Sequence, residues 1–195
     1  MGGLEASQPL AERKTVIGIT GMPGSGKSTL AEIAESLGFK KLVMGDFVRA
    51  EAERRGLKPT GENLGLLMLQ LRREMGEAAI AEMTVKAAKK LGSDKIVIDG
   101  VRSPAEIDEF KKNFPGFKLI AVHAPREVRF TRLTGRRRSD DPKAWEAFQD
   151  RDLRELEVGV GSAIALADRI LENIGELEAF KRQAVKLLRE VLEGV

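Results

Sequence analysis

The sequence is organised around one stretch, Gly21-Met22-Pro23-Gly24-Ser25-Gly26-Lys27-Ser28, which matches the pattern G-x-x-x-x-G-K-[ST]. A short apolar run at residues 16–20 comes directly before it and is typical of a buried strand. Residues 28–34 follow with apolar side chains at helical spacing. Because strand, loop and helix occur in the required order, the stretch predicts a phosphate-binding loop. The alternative, a plain glycine-rich turn, would have no need of the Lys27-Ser28 pair.

The residue types in this loop suit a nucleoside triphosphate. Glycine lets the backbone curl so that successive N–H groups point inward, and the following helix adds the positive end of its dipole. We expect Lys27 to reach the β- and γ-phosphates and the Ser28 hydroxyl to ligate Mg²⁺. The predicted cofactors are therefore ATP and Mg²⁺. The predicted nucleotide-binding residues in the loop are Gly21, Met22, Pro23, Gly24, Ser25, Gly26, Lys27, Ser28 and Thr29.

Composition limits the other possibilities. The chain has 195 residues, 42% hydrophobic and 32% charged, which fits one domain with a buried core. It has no cysteine, so disulfides and thiolate metal sites are excluded and an intracellular, cytoplasmic location fits. No run of 18 apolar residues occurs, and residues 1–14 lack the apolar core of a signal peptide, so we expect no membrane association. The net charge of only +3 makes nucleic acid an unlikely partner.

The order of apolar and amphipathic segments predicts an α/β fold. Strands are expected at residues 16–20, 41–44, 95–99, 117–124 and 169–173, with helices between them. Because these strands are almost continuously apolar, we expect a parallel sheet covered by helices on both faces. Two amphipathic stretches, residues 63–75 and 77–91, form a helical insert between the second and third strands.

Two acid–arginine pairs follow predicted strands on the side of the sheet where the loop lies. Asp46 and Arg49 share a helical face after the second strand, and Asp99 and Arg102 follow the third strand. Asp46 could accept a proton or help to hold metal, and Arg49 could clamp an acceptor phosphate. Asp99 could orient Mg²⁺, and Arg102 could contact phosphate. The alternative for Asp46 and Arg49 is a helix cap with a surface ion pair. The alternatives for Asp99 and Arg102 are a capping or turn aspartate and a surface arginine.

Six arginines occur within thirteen residues, at positions 126, 129, 132, 136, 137 and 138. Arg129, Arg132 and Arg136 recur on one helical face and lead into a loop, for which Gly135 could be a hinge. We interpret this segment as a lid that neutralises a transferring phosphoryl group. The alternatives are a nucleic-acid contact and a solvated helix face. His123 and Trp145 are expected in the core.

The motifs together resemble the nucleoside monophosphate kinases among the P-loop proteins. Residues 45–49, Gly-Asp-Phe-Val-Arg, resemble the acceptor-phosphate motif of adenylate kinases, and residues 132–137 and 138–141 resemble the two ends of their lid. The loop and residues 167–177 are equally similar to dephospho-coenzyme A kinase. From Thr15 onward the chain resembles an archaeal family of predicted nucleotide kinases that is related to both.

The resemblance implies a five-stranded P-loop kinase domain at residues 15–195. The polar residues 1–14 before it are expected to form a flexible tail. It implies acceptor-binding helices at about residues 46–91, a short lid at about 134–142, and Asn173 near the adenine. The predicted catalytic groups are Lys27, Arg138 and Asp46. The predicted substrate contacts are Arg49, Asp99, Arg102, Arg132 and Arg136.

The expected reaction is ATP- and Mg²⁺-dependent phosphoryl transfer to a small nucleotide-like acceptor, most simply a nucleoside monophosphate. Dephospho-coenzyme A is the alternative acceptor, and a nucleic-acid-associated ATPase is a third, less favoured interpretation. A regulatory GTPase is excluded, because the chain has no N-K-x-D segment for reading guanine.

Overall fold

A computed structural model describes residues 14–136 and 141–193. Its centre is a five-stranded, all-parallel sheet with strand order β2-β3-β1-β4-β5, as the apolar runs predict. The strands are β1 Thr15–Thr20, β2 Lys40–Val43, β3 Lys95–Val101, β4 Lys118–His123 and β5 Arg169–Glu172. The helices are α1 Lys27–Ser36, α2 Met44–Arg54, α3 Gly61–Met75, α4 Ala79–Lys90, α5 Pro104–Asn113, α6 Arg126–Arg136, α7 Trp145–Val158, α8 Val160–Ala165 and α9 Leu177–Glu193.

Alternate side chains of the central strands enter two separate cores, as expected for a sheet covered on both faces. On one face Ile96 and Ile98 of β3 pack with Phe110 and side chains of α2–α5. On the other face Ile17 and Ile19 of β1 pack with side chains of α1 and α9. In the part of the chain that the structure describes, no helix has the length and apolar character needed to cross a membrane.

The carboxyl end of β3 is longer than predicted and irregular. The strand continues past Asp99 to Val101, and its register with β1 shifts between Ile19 and Thr20. Gly100 provides the left-handed φ of 108° at this point. The irregularity leaves Asp99 beside the phosphate-binding loop and brings Arg102 to the same edge of the sheet.

The helix after β3 begins with a capping serine. Ser103 is the N-cap residue of α5, and its hydroxyl accepts a hydrogen bond from the Glu106 backbone N–H at 3.2 Å. The Glu106 carboxylate in turn accepts from the Arg102 backbone N–H at 2.6 Å and forms a buried ion pair with Arg72 of α3. This network therefore fixes the backbone of Arg102 and ties α3 to α5.

Three local predictions were wrong. Asp46 does not cap α2, because that helix begins at Met44 with Val43 as N-cap, and Asp46 lies in its first turn. Gly135 lies inside the last turn of α6 rather than in a loop after that helix. His123 is exposed at the end of β4 rather than buried in the core. In each case the boundary of an element moved by one to three residues relative to the pattern.

Candidate active site

The phosphate-binding loop connects β1 to α1 and needs its glycines for two reasons. Gly21, Gly24 and Gly26 have left-handed φ values of 140°, 80° and 110°. A Cβ on Gly21 would lie 2.3 Å from the Val122 carbonyl oxygen, and one on Gly26 would lie 2.2 Å from Nδ2 of Asn173. Because real Cβ atoms do not approach so closely, other residues are excluded at these positions both by backbone strain and by their neighbours.

Lys27 folds back over the loop that precedes it. Its Nζ donates hydrogen bonds to the carbonyl oxygens of Gly21 at 2.6 Å and Met22 at 3.0 Å. Burial lowers the pKa of Lys27 from 10.5 to about 8, against the opposing attraction of the Asp99 and Glu155 carboxylates. The amine therefore lies within the loop, where incoming phosphates would offer it a stronger, charged set of acceptors.

Ser28 and Asp99 form a small oxygen-rich site at the foot of the loop. The Ser28 hydroxyl donates to Oδ2 of Asp99 at 3.3 Å, and Asp99 is buried on the neighbouring strand. A hydroxyl beside a carboxylate fits Mg²⁺, which takes few protein ligands and completes its shell with phosphates and water. Within the described ranges no cluster of three or more His, Asp or Glu side chains could hold a metal ion alone. Phosphates and water would therefore have to supply the other ligands.

Asn173 supports the loop from the side. Its Nδ2 donates to the Ser25 carbonyl oxygen at 2.8 Å, and its own carbonyl oxygens accept from Arg132 at 3.0 and 3.1 Å. The side chain is buried, and its hydrogen-bonding atoms are used by the protein. The structure thus gives Asn173 a role in holding the loop, and its contact with adenine stays a prediction.

Arg129 does not belong to a mobile lid, in contrast to the interpretation of the arginine face. Its side chain is 4% exposed and forms a two-pronged ion pair with Asp152 of α7, at 2.8 and 2.6 Å. It also donates to the Pro23 carbonyl oxygen at 3.1 Å and lies 5.0 Å from the Phe148 ring. Arg129 therefore joins α6 and α7 to the phosphate-binding loop.

The other predicted lid arginines lie closer to solvent. Arg132 is partly buried and donates to Asn173, and its N–H also approaches the Ser25 carbonyl oxygen at 3.4 Å. Arg136 forms an ion pair with Asp141 at 2.6 Å, and Arg151 lies 3.7 Å from the same carboxylate. Arg138 lies outside the described residues, as do the neighbouring residues 137, 139 and 140 of the predicted lid.

Two adjoining cavities lie at this edge of the sheet. The larger cleft, of about 660 Å³, contains the phosphate-binding loop, Lys27, Ser28 and Asp99. The smaller cavity, of about 270 Å³, lies between α2, α3 and α7. The residues that line both are Gly45, Arg49, Leu64, Arg102, Arg151 and Glu155. This shared wall brings the predicted donor side and the predicted acceptor side together.

The predicted acceptor residues are found at the shared wall with partners of their own. Arg49 forms an exposed ion pair with Asp46 at 3.1 Å. Arg102 donates from Nε to the Glu155 carboxylate at 2.7 Å. Burial alone would raise the pKa of Glu155, but the charges of Arg102, Lys27 and Arg151 hold that pKa below its usual value. Glu155 is consequently an ionised group that orients Arg102.

The contribution of α7 to both cavities was not predicted from the sequence. Arg151, Arg154 and Glu155 all line at least one of them, yet the helix reads as an ordinary charged surface helix. One signal was present: Asp152 and Glu155 share a helical face with Phe148, and all three are buried. Acidic residues on an apolar helical face indicate buried cationic partners, here Arg129 and Arg102.

Comparison with known proteins agrees with this architecture. A family model described as an AAA domain matches residues 20–149. UPF0200 protein PYRAB09750 of Pyrococcus abyssi is 43% identical over 181 residues, which cover 91% of this chain and 97% of that protein. A UPF0200 protein of Methanothermobacter thermautotrophicus is 43% identical over 178 residues, covering 91% of each chain.

Solved structures show the same fold at lower identity. TT1252 from Thermus thermophilus has a TM-score of 0.62 at 22% identity, covering 92% of this chain and 98% of that one. A gluconokinase from Sinorhizobium meliloti has a TM-score of 0.56 at 20% identity, with 94% and 96% covered. A shikimate kinase from Bacteroides thetaiotaomicron has a TM-score of 0.55 at 21% identity, with 92% and 98% covered. These likenesses establish the P-loop kinase fold.

Proposed function

The chain belongs to the UPF0200 protein family and has the P-loop kinase fold, and on that premise we propose that it transfers the γ-phosphoryl group of ATP to a small nucleotide-like acceptor. The proposed acceptor is a nucleoside monophosphate. The observation that carries the proposal is the shared wall: Arg49, Arg102 and Arg151 line both the cleft with the phosphate-binding loop and the smaller cavity beside it.

A cationic wall shared by the two cavities suits phosphoryl transfer. The reaction depends mainly on placing two anionic substrates in line and neutralising their charge. The larger cleft has seven basic residues along its lining and four acidic ones. A second anion in the smaller cavity would meet arginines that already face the donor. The arrangement therefore supports transfer between two bound molecules over simple ATP hydrolysis.

In the proposed step, an oxygen of the acceptor phosphate bonds to the γ-phosphorus of ATP. The bond from that phosphorus to the β–γ bridging oxygen breaks, and its electron pair leaves with ADP. Lys27 would hold the donor phosphates, and Arg49 and Arg102 the acceptor phosphate. Ser28 and Asp99 would hold Mg²⁺, which supplies charge neutralisation and orientation of the phosphates. A contribution of Arg138 stays a prediction.

The state of the carboxylates favours an acceptor that needs no general base. Glu155 is ion-paired with Arg102, and its lowered pKa makes it a poor proton acceptor. Asp99 accepts a hydrogen bond from Ser28 at the predicted Mg²⁺ site. A phosphate acceptor is already ionised, so these groups do not have to remove a proton from it. The smaller cavity, about 270 Å³, also suits a small acceptor.

Dephospho-coenzyme A is the second candidate acceptor, because of one observation. The Asp46 side chain is 63% exposed at the edge of the larger cleft, where it could take a proton from a ribose hydroxyl. Asp46→Asn separates the two candidates. Transfer to nucleoside monophosphates should survive this change with a small loss, whereas transfer to a ribose hydroxyl should fall about 10²- to 10⁴-fold.

The direct test is an acceptor panel with ATP and Mg²⁺, read out as ADP release. The panel contains the nucleoside monophosphates and dephospho-coenzyme A, with shikimate and gluconate as non-nucleotide controls. We expect ADP release only with a nucleotide acceptor. Release stimulated by RNA or DNA alone, with binding that falls steeply with salt, would instead support a nucleic-acid-associated ATPase. Failure of every nucleotide acceptor would refute the proposal.

A further inference from the structure

Arg154 is the arginine of the site for which the described residues provide no partner. Its side chain is half-buried on α7, and among the described residues it makes neither a hydrogen bond nor an ion pair. Arg102, by contrast, is paired with Glu155, and Arg136 with Asp141. A guanidinium that is partly removed from water without a partner has donors available for a ligand.

The position of Arg154 identifies the part of the ligand it would meet. Arg154 lines only the smaller cavity, whereas Arg49, Arg102 and Arg151 also line the cleft with the phosphate-binding loop. It therefore lies on the side of the cavity away from the donor. An acceptor whose phosphate is held at the shared wall would present its opposite end, the base, to Arg154.

The surroundings of Arg154 offer both apolar and polar contacts. Gly65 of α3 lies directly against Arg154, because a Cβ added to Gly65 would lie 3.8 Å from Nε of Arg154. A side chain at position 65 would therefore contact the guanidinium. Leu64, Met68 and Pro142 supply apolar surface to the same cavity, and Glu62 supplies a carboxylate that accepts hydrogen bonds.

Resting on the proposed function, we propose that Arg154 selects acceptors whose base presents two adjacent hydrogen-bond acceptor atoms. Cytosine does so with O2 and N3, and guanine with O6 and N7, so the fork of an arginine can bind either base through two hydrogen bonds. Both bases also carry an amino group that could donate a hydrogen bond to the Glu62 carboxylate. Adenine presents N1 or N7 next to its amino group, which is a hydrogen-bond donor. In uracil an N–H group lies between the two carbonyl oxygens. Neither base therefore offers two adjacent acceptor atoms on these edges. The preferred substrates are thus cytidine or guanosine monophosphate.

The test measures equilibrium binding of CMP, GMP, AMP and UMP to the full chain by calorimetry, without ATP. CMP or GMP should bind more tightly than AMP and UMP by roughly 5- to 150-fold, the range of one two-pronged contact with a base. Arg154→Ala should remove this preference and leave AMP and UMP affinity nearly unchanged. Arg154→Lys should remove it as well, because a lysine keeps the charge but lacks the planar fork.

The matched control is Arg73→Ala, which removes an exposed arginine of α3 outside both cavities and should keep the preference. Binding of ATP to each variant shows that the variant is folded. If Arg154→Ala is unstable, Arg154→Lys tests the inference in its place. Two outcomes overturn this inference alone. One is a preference for AMP, UMP or the adenine-bearing dephospho-coenzyme A. The other is an Arg154→Lys variant that still prefers CMP or GMP. A protein that binds ATP but neither binds nor phosphorylates any nucleoside monophosphate or dephospho-coenzyme A overturns the proposed function and this inference together.

Discussion

The Ser28 hydroxyl donates a hydrogen bond to Oδ2 of Asp99 at 3.3 Å, although 71 positions separate the two residues. The contact exists because β1 and β3 are neighbours in the sheet, with Ile19 paired to Asp99. It places a hydroxyl and a carboxylate together at the base of the phosphate-binding loop. This pair is the most direct indication in the structure of where Mg²⁺ would bind.

Asp99→Asn tests this magnesium site. The amide keeps the shape of the side chain but removes its charge, so phosphoryl transfer should fall roughly 10- to 100-fold and require more Mg²⁺. ATP binding without Mg²⁺ should be unchanged or slightly tighter, because a negative charge near the phosphates is lost. The measurement is the rate as a function of Mg²⁺ concentration. Asp108→Asn, on the exposed face of α5, is the control, and an unaltered Mg²⁺ dependence of Asp99→Asn would exclude this role.

Arg129→Ala tests whether this arginine supports the fold. Removing one partner of this buried ion pair leaves the Asp152 charge with only the more distant and more exposed Arg126, so the free energy of unfolding should fall by about 3–5 kcal/mol. The control is Arg126→Ala on the same helix, because Arg126 is 50% exposed and 3.8 Å from Asp152. That change should cost at most about 1 kcal/mol. Urea denaturation measures both values, and equal losses for the two variants would contradict the structural role of Arg129.

The lowered pKa of Lys27 predicts that ATP binding depends on pH. Phosphates would raise this pKa, so the free protein should take up a proton on binding ATP when the pH is above about 8. Above about pH 8, ATP affinity should accordingly fall by up to about tenfold for each rise of one pH unit. Calorimetry in two buffers of different ionisation enthalpy measures the proton uptake. The Lys27→Met variant should show none, and equal wild-type affinity at pH 7 and 9.5 would refute the prediction.

The same pKa predicts an effect of opposite sign on the stability of the nucleotide-free protein. The folded value of about 8 lies below the ordinary 10.5, so the unfolded chain binds the additional proton between these pH values. Folding stability attributable to Lys27 should therefore increase as the pH rises from 8 to 10.5. Comparison of the wild type with Lys27→Met over this range isolates the contribution.

Gly26→Ala tests the packing of the loop against Asn173. A methyl group at this position would meet Nδ2 of Asn173 at 2.2 Å and would also occupy a left-handed φ of 110°. We expect ATP binding to be abolished. Gly38→Ala is the matched control, because its φ is 89° but nothing lies within 4 Å of the added Cβ. It should cost about 1–2 kcal/mol of stability and leave ATP affinity unchanged; a similar loss of affinity in both variants would show that strain alone is responsible.

The loop and the sheet were predictable from sequence because both depend on local pattern. The glycine spacing of residues 21–28 and five apolar runs determine a parallel sheet with a phosphate-binding loop after its first strand. The Ser103 cap was predictable for the same reason, since Ser103 and Glu106 are neighbours along the chain.

The roles of individual arginines were not predictable, because they depend on partners far along the chain. Arg129 and Arg132 lie one helical turn apart, but only Arg129 meets Asp152, 23 positions away. The helical spacing of the arginines does not indicate which of them will find a buried carboxylate. Arg154 was missed for a related reason, since only the packing of α7 beside α3 places it in a cavity.

Transfer between two bound nucleotides can be observed by following the γ-phosphoryl group itself. ATP labelled at the γ-phosphate is incubated with the protein, Mg²⁺ and each nucleoside monophosphate, and the products are separated by chromatography. We expect label in a nucleoside diphosphate, and loss of that product in the Lys27→Met variant. Label found only in inorganic phosphate, at a rate that no acceptor changes, would contradict it.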